Sequence, residues 1–425
     1  MAASSPCRQQ TPPPFYIGSM FLFTRAIFGL RRELFPLEDW IESGDREAAI
    51  DPEISIVDAH HHLWDARVHE KGWPVSKLTI WILYKLNPRL LNYLMVKSQD
   101  PRIVKTFTYK LPMIVPYMLN SMLVDIDNLN QGGEIAPEQN RKGKTSLPAH
   151  NIVATVYIES GWKDPKASNK AMEAVPEVAM AQKVAEDSKN RICTGIVGHV
   201  DLSEGAVDVR HALLAMIESN PNFRGIRDEL AHREGFWPFD TTKGKAYRES
   251  FRSGFSVLAE LNLSYDTWIY ADNIPSLRDL AIAFPRTIIV CNHCGMVGLP
   301  PSDPKTALEY WKPVINDLAD ACPNVNIKLS GLGMATVGFG FDRRKNPPSS
   351  KDLADAWRPF ILHCIECFGV DRCMFASNFP VDKVSGGYTQ VFNAFKIIVR
   401  DFKQEDKQKL FHDNAERVYR LKIRT

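Results

Sequence analysis

Several features are missing from this 425-residue chain, and each absence closes off a class of function. No apolar run approaches the roughly 20 residues that a membrane-crossing helix needs. The stretch from Phe15 to Phe23 falls far short and is followed by Arg25, so no transmembrane segment is expected. Charge of one sign is not in excess either. With 52 Lys and Arg against 50 Asp and Glu, the net charge is +2, which gives no bulk attraction to nucleic acid. Cysteine is sparse: the eight residues at 7, 193, 291, 294, 322, 364, 367 and 373 lack the dense spacing of a secreted disulfide scaffold. A reducing compartment follows, cytoplasmic or mitochondrial. Neither a G-x-S-x-G elbow nor a complete G-x-x-x-x-G-K-[ST] phosphate loop is present.

Two cysteine pairs, Cys291/Cys294 and Cys364/Cys367, have C-x-x-C spacing. The first belongs to an apolar strand pattern and the second to a helical run from Trp357 to Phe368. Both read as small apolar packing residues rather than as a zinc knuckle.

What is present is the composition of an ordinary globular protein, 44% apolar and 24% charged. From Ile54 onward, short apolar runs alternate with longer amphipathic ones. The eight short runs are Ser55 to Ala59, Val153 to Ile158, Cys193 to Val200, Phe223 to Ile226, Leu263 to Ile269, Thr287 to Cys291, Val325 to Leu329 and Cys373 to Ala376. Strands joined by crossover helices predict an α/β fold, a (β/α)8 TIM barrel. The expected organisation is an N-terminal extension over 1–53 and a barrel domain over 54–425, with a long helical insertion after the first strand over 70–148.

That insertion exceeds what a crossover requires. From Lys71 to Met118 it carries eight Lys or Arg against one acid, Asp100, with Trp73, Trp81, Tyr84 and Tyr93 among its aromatics. It reads as a lid over an anionic substrate, a homo-oligomer contact, a membrane-surface helix or a cap packed on the barrel. Gln131 to Pro148 reads as a surface loop. The N-terminus, with Arg8, Arg25, Arg31 and Arg32 and no acid before Glu33, suits either a transit peptide or a helix over Phe21 to Phe35.

In a barrel of this type, chemistry sits at the C-terminal ends of the strands. The first strand closes on Asp58-Ala59-His60-His61-His62, and residues two apart on a strand share a face. His60 and His62 can therefore address one ion or one substrate atom, with His61 turned away. Later strand ends supply Glu159, His199, Arg227 with Asp228, Asp266, His293, Lys328 with Ser330, and Asn378.

These motifs resemble the amidohydrolase superfamily, in particular its amidohydrolase-related branch that includes sugar lactonases and pyrone-dicarboxylate lactonase. The resemblance runs from Ile54 to Leu421 and rests on the D-x-H-x-H motif, Gly195 to His199, Phe223 to Arg227, Ser264 to Trp268, Asn292 to Gly295, Lys328 to Gly331 and Met374 to Lys383. It implies that His60, His62 and His293 bind one divalent metal ion such as zinc, or polarise a substrate carbonyl without any metal. Two positions depart from the family pattern. At the fifth strand, Asp266 stands near where metal-rich members have a histidine, as an oxygen ligand or as a buried partner of Arg227. At the eighth, Asn378 replaces the aspartate that deprotonates water, and an amide cannot take that proton. Asp382, Glu159 or His293 then serves as base, a metal-bound hydroxide makes one less necessary, or hydrolysis is lost.

Arg227 and Lys328, with Glu159 and Asp266, are candidates to bind a small anionic substrate, the two cations otherwise serving in internal ion pairs. The expectation is a hydrolase of a lactone or similar carboxylic ester. Zinc-dependent decarboxylation and a catalytically silent binding barrel are the alternatives.

Overall fold

The computed structural model describes residues 37–65, 69, 116–129, 147–233, 242–296 and 304–423. The helix expected over Phe21 to Phe35, the basic aromatic stretch up to residue 115 and most of the loop over 131–148 lie outside the described residues.

Eight parallel strands form one sheet in sequential order: β1 Ser55–His61, β2 Asn151–Ile158, β3 Gly195–Gly198, β4 Phe223–Arg227, β5 Ser264–Thr267, β6 Ile289–Cys291, β7 Val325–Leu329 and β8 Cys373–Phe375. Each predicted run supplies one strand, with differences at the ends. The third is shorter than the Cys193 to Val200 expected from its apolar pattern, because Cys193 has φ 57° and so lies outside the β region.

The described part of the β1–β2 connection holds the helix Leu119–Ile126, and from β2 onward successive strands are joined by the helices Val175–Asp187, Gly205–Ser219, Glu249–Glu260, Ile274–Ala283, Pro304–Ala321 and Ser350–Phe368. The last shows how sequence sets the limits. Ser349 and Asp352 form a reciprocal capping box at its start, and Gly369, at φ 72°, ends it. Among the described residues, no helix is long and apolar enough to cross a membrane.

Side chains alternate between two cores. Val57, Ala59, Ala154, Val156, Ile158, Val197, Val290, Met374 and Ala376 form the interior cluster, joined by Val418, Tyr419 and Leu421 from the C-terminal end of the chain. Ile56, Tyr157, Ile196, Ile226, Tyr265, Ile289, Cys291, Ile327 and Leu329 belong to the cluster shared with the surrounding helices. By this alternation, Asp266 and Lys328, each next to an outward residue, face inward, and both are fully buried.

The seam between β1 and β8 is closed mainly by a carboxylate. Asp58 accepts hydrogen bonds from Ser377 N (2.8 Å), Ser377 Oγ (2.6 Å) and Tyr388 Oη (2.9 Å). Two backbone bonds follow, from Asn378 N to His60 O (2.8 Å) and from His62 N to Phe379 O (2.7 Å). They bring the eighth-strand end against the histidine motif.

Candidate active site

The first-strand histidines reach the interior through an irregularity that their spacing does not reveal. Val57 and Ala59 are inward, so strict alternation would turn His61 inward next. Asp58 pairs with Thr155 and His61 with Tyr157, three residues of β1 spanning two of β2, so a bulge lies between. His60 and His62 are thereby aimed at the interior. His61 points to the outer layer, where its Nε2 lies 2.8 Å from Thr155 Oγ1 and its ring packs edge-on against Tyr157. Burial lowers the His61 pKa to about 3, which suits a neutral packing residue.

His60 Nε2 and His62 Nε2 are 3.1 Å apart, and the His60 and His293 ring centroids are separated by 4.5 Å. His62 Nδ1 lies 2.9 Å from both the Ile158 and Glu159 carbonyl oxygens, so Nδ1 carries the proton and Nε2 is left as an acceptor. His293 Nδ1 faces Ser330 Oγ at 2.9 Å. Both His293 (φ 58°) and the following Cys294 (φ 56°) adopt left-handed backbone conformations, which are costly for residues other than glycine. Gly331 packs so closely here that a Cβ would fall 2.4 Å from His293 Cγ, which accounts for the glycine. All three imidazoles are held well below their ordinary pKa, first by burial and then by neighbouring cations: Lys328 for His60, Arg227 for His62, and both for His293. They are neutral at physiological pH.

The charged residues form two buried pairs. Arg227 donates through Nε to Glu159 Oε1 (2.7 Å) and through Nη2 to the Glu159 carbonyl (3.0 Å). Burial alone would raise the Glu159 pKa, but the Arg227 guanidinium outweighs it and the carboxylate stays ionised. Lys328 Nζ donates to Asp266 Oδ1 at 2.7 Å, with both side chains fully buried. Asp266 also accepts from Tyr419 Oη (2.9 Å) and Asn292 Nδ2 (2.9 Å). The partner of Asp266 is therefore Lys328, and that of Arg227 is Glu159. The pairing of Asp266 with Arg227 entertained from the sequence does not form, because Lys328 enters the barrel from β7 and takes the carboxylate first.

Asp382 and Asn378 make a third buried unit, where Asn378 Nδ2 donates to Asp382 Oδ1 at 2.7 Å. Gly333 N donates to Asp382 Oδ2 at 3.1 Å, and the Gly331 backbone adds a further hydrogen bond. Burial still dominates and lifts the Asp382 carboxyl to about 7. Asn378 Oδ1 is buried without a hydrogen-bond partner among the described residues. Gly331 therefore touches both groups, packing on His293 and bonding to Asp382 through its backbone.

Sequence reasoning missed several of these partners. Asn292 was legible as an inward position after β6. Tyr419 was not, because nothing local shows that the C-terminal helix threads its hydroxyl back to Asp266. Glu229, following Arg227, is half-buried with its carboxyl pKa raised by burial, and it faces the fields of Arg227 and Glu159.

The spacing of these nitrogens bears on metal binding. Two imidazole nitrogens bound to one tetrahedral ion at about 2.0–2.1 Å would lie about 3.3 Å apart, close to the observed His60–His62 spacing. The hydrogen-bond directions disagree. A chelating His60 must present its Nε2 lone pair and carry its proton on Nδ1, yet Nδ1 faces the Lys328 ammonium at 3.4 Å. The His60, His62 and His293 set in this arrangement does not fit an ion. Among the described residues, the group that brings three ligand atoms within 4.8 Å of one another is His412, Asp413 and Glu416, on the C-terminal helix.

The amidohydrolase family model matches residues 57–421. The chain belongs to the amidohydrolase family. A Sinorhizobium fredii protein described as uncharacterized protein y4mH is 30% identical over 370 residues, covering 87% of this chain and 99% of that one. An L-fucono-1,5-lactonase of Burkholderia ambifaria is 26% identical over 202 residues, 47% of this chain and 60% of the lactonase. Among solved structures, an amidohydrolase from Burkholderia multivorans superposes with a TM-score of 0.57 at 18% identity in a form holding HEPES, covering 86% of this chain and 99% of that one. A second crystal form of a Burkholderia multivorans amidohydrolase holds zinc, with a TM-score of 0.54 at 17% identity and the same coverage. These structures share the barrel, and zinc is thus found in one protein of this fold.

Proposed function

We propose that this amidohydrolase hydrolyses a lactone or similar carboxylic ester of a small anionic substrate, with Asp382 as general base. The observation that carries this reading is the Asp382 carboxyl itself: buried, lifted to about 7, and hydrogen-bonded to Asn378 at the end of the eighth strand. A base poised near the working pH combines adequate population with adequate proton affinity. Sequence similarity to an L-fucono-1,5-lactonase over part of the chain supports the substrate class.

The steps follow from the donors at hand. With Ser330 Oγ donating to its Nδ1, His293 presents Nε2–H to the substrate carbonyl, while His62, fixed by two backbone carbonyls, accepts from His60 and holds that ring in place. The unpartnered Asn378 Oδ1 accepts a hydrogen bond from the attacking water. Water oxygen adds to the carbonyl carbon as one of its protons passes to Asp382. The tetrahedral oxyanion is held by His293 Nε2–H. On its collapse, the C–O bond of the ring breaks, and the proton on Asp382 goes to the departing alkoxide, giving the hydroxy acid.

Arg227 spends Nε and Nη2 on Glu159, which leaves its Nη1 edge for a substrate carboxylate. Lys328, fully buried and committed to Asp266, supports the site from behind. The test is a panel of sugar lactones and carboxylated pyrones, assayed with wild type and Asp382→Asn. Turnover by wild type that disappears in the variant supports the reading; folded wild type that opens none of them rejects it.

A further inference from the structure

We propose that the Lys328–Asp266 pair fixes His60 in the tautomer protonated on Nε2, and so holds His60 and His62 as a hydrogen-bonding dyad instead of a metal chelate. The inference deepens the hydrolytic reading and rests on it for its catalytic meaning, but not for its test.

The argument runs along one chain of contacts. Asp266 is surrounded by donors from Lys328 at 2.7 Å, Tyr419 at 2.9 Å and Asn292 at 2.9 Å, an environment that holds a carboxylate. A fully buried carboxylate needs a counter-charge, and Lys328, equally buried at bonding distance, supplies it. An ammonium has donors and no acceptor. Burial lowers the Lys328 pKa, but Asp266 at 2.7 Å opposes that and favours the ammonium, whose contact with His60 Nδ1 at 3.4 Å favours a lone pair on Nδ1 and the imidazole proton on Nε2. That proton is directed at His62 Nε2, 3.1 Å away, which is an acceptor because His62 Nδ1–H is bound to the Ile158 and Glu159 carbonyls. Every hydrogen in the row has an acceptor.

A divalent ion between the two Nε2 atoms would reverse the first link. His60 Nδ1–H would then meet the ammonium head-on, donor against donor, with the ion's own charge added to that of Lys328 and Arg227 nearby. Where Nδ1 of a ligating histidine meets a carboxylate or carbonyl, metal binding is favoured. Here the lysine stands in that place and reads as a positioning residue that selects hydrogen-bond chemistry at a site whose nitrogen spacing would otherwise suit zinc.

The experiment uses purified full-length protein carrying His412→Ala, so that the His412, Asp413 and Glu416 group does not take up the probe metal. The His60 tautomer is read from imidazole nitrogen NMR shifts in wild-type background, assigned by loss of the signal in His60→Gln. Zinc alone is then titrated against a chromophoric chelator. In wild type, we expect the Nε2–H tautomer and no stoichiometric zinc. In the double variant Lys328→Met/Asp266→Asn, which removes both charges together, we expect zinc affinity to rise about 10–100-fold, the usual scale of contacts behind a metal ligand. Adding His62→Ala should abolish that gain. An Nδ1–H tautomer in wild type, or wild-type zinc binding as tight as that of the double variant, overturns the proposal. Should the double variant fail to fold, the wild-type tautomer still decides. Absence of lactone turnover would defeat the hydrolytic reading while leaving the tautomer result intact, so the two failures are distinguishable.

Discussion

Asn378 Nδ2 donates to Asp382 Oδ1 at 2.7 Å, which puts an amide against a buried carboxyl whose pKa burial lifts to about 7. Asn378 holds this position with φ 54°, a backbone conformation that asparagine tolerates better than most residues. The amide thus does something an aspartate could not: it donates to its neighbour without competing with it for a proton.

Asp382→Asn should lower kcat by about 100- to 10,000-fold, the range of a lost general base. The working form is the carboxylate, so the wild-type rate should rise as pH increases through about 7 and level off above it. Stability should show the opposite slope. The folded-state pKa lies above the unfolded value of 3.8, so the folded protein is the better proton binder and loses stability as pH rises from about 4 to about 7. Asparagine at 382 should flatten that slope. Activity and denaturation profiles of both proteins between pH 4 and 9, roughly the window over which these carboxyl and imidazole groups titrate, check both signs.

Replacing Asn378 tests whether it tunes this base. Its hydrogen bond favours the ionised carboxyl, so Asn378→Ala should raise the Asp382 pKa and move the acid limb of the rate profile to higher pH. A lower plateau with an unmoved limb would instead mean that Asn378 only positions water.

Arg227 and Glu159 should separate binding from folding. Arg227→Met strands a buried carboxylate, with an expected loss of about 3–5 kcal/mol. The paired replacement Arg227→Met/Glu159→Gln removes both charges and should recover most of that stability. If the free Nη1 edge binds substrate, the double variant should still show a raised KM. A KM unchanged from wild type would assign Arg227 to structure alone.

Much of this was legible in the sequence, for identifiable reasons. The strands announced themselves because inward and outward positions are both largely apolar, as in Val153 to Ile158, which lies within β2. His60, His62, Arg227 and Lys328 were singled out because polar residues at strand ends violate that pattern, and Asp382 because Asn378 left the eighth strand without a base. Two things were not legible. The bulge in β1 changes which histidines face inward without leaving a mark in composition, since Asp58, Ala59 and His60 are compatible with either register. The pairing of charges was also hidden. Asp266 and Lys328 are 62 positions apart, and only barrel closure decides that they meet while Arg227 goes to Glu159.

The barrel seam supplies the last prediction. Asp58 is fully buried and joins β1 to the segment after β8 by accepting from Ser377 N, Ser377 Oγ and Tyr388 Oη, at 2.8, 2.6 and 2.9 Å. Asp58→Asn keeps the volume but offers one acceptor oxygen and introduces an NH2 group where donors already converge. At least one buried donor is left unmatched, at a cost of about 1–3 kcal/mol. The histidines remain in place only while the seam holds, since Asn378 N and His62 N bond across it. Asp58→Asn should therefore lower the denaturation midpoint while the folded fraction retains wild-type KM and kcat at low temperature. Tyr388→Phe, which removes one donor together with its demand for an acceptor, should cost less. A large kcat loss in fully folded Asp58→Asn would instead place Asp58 in the chemistry and not in the seam.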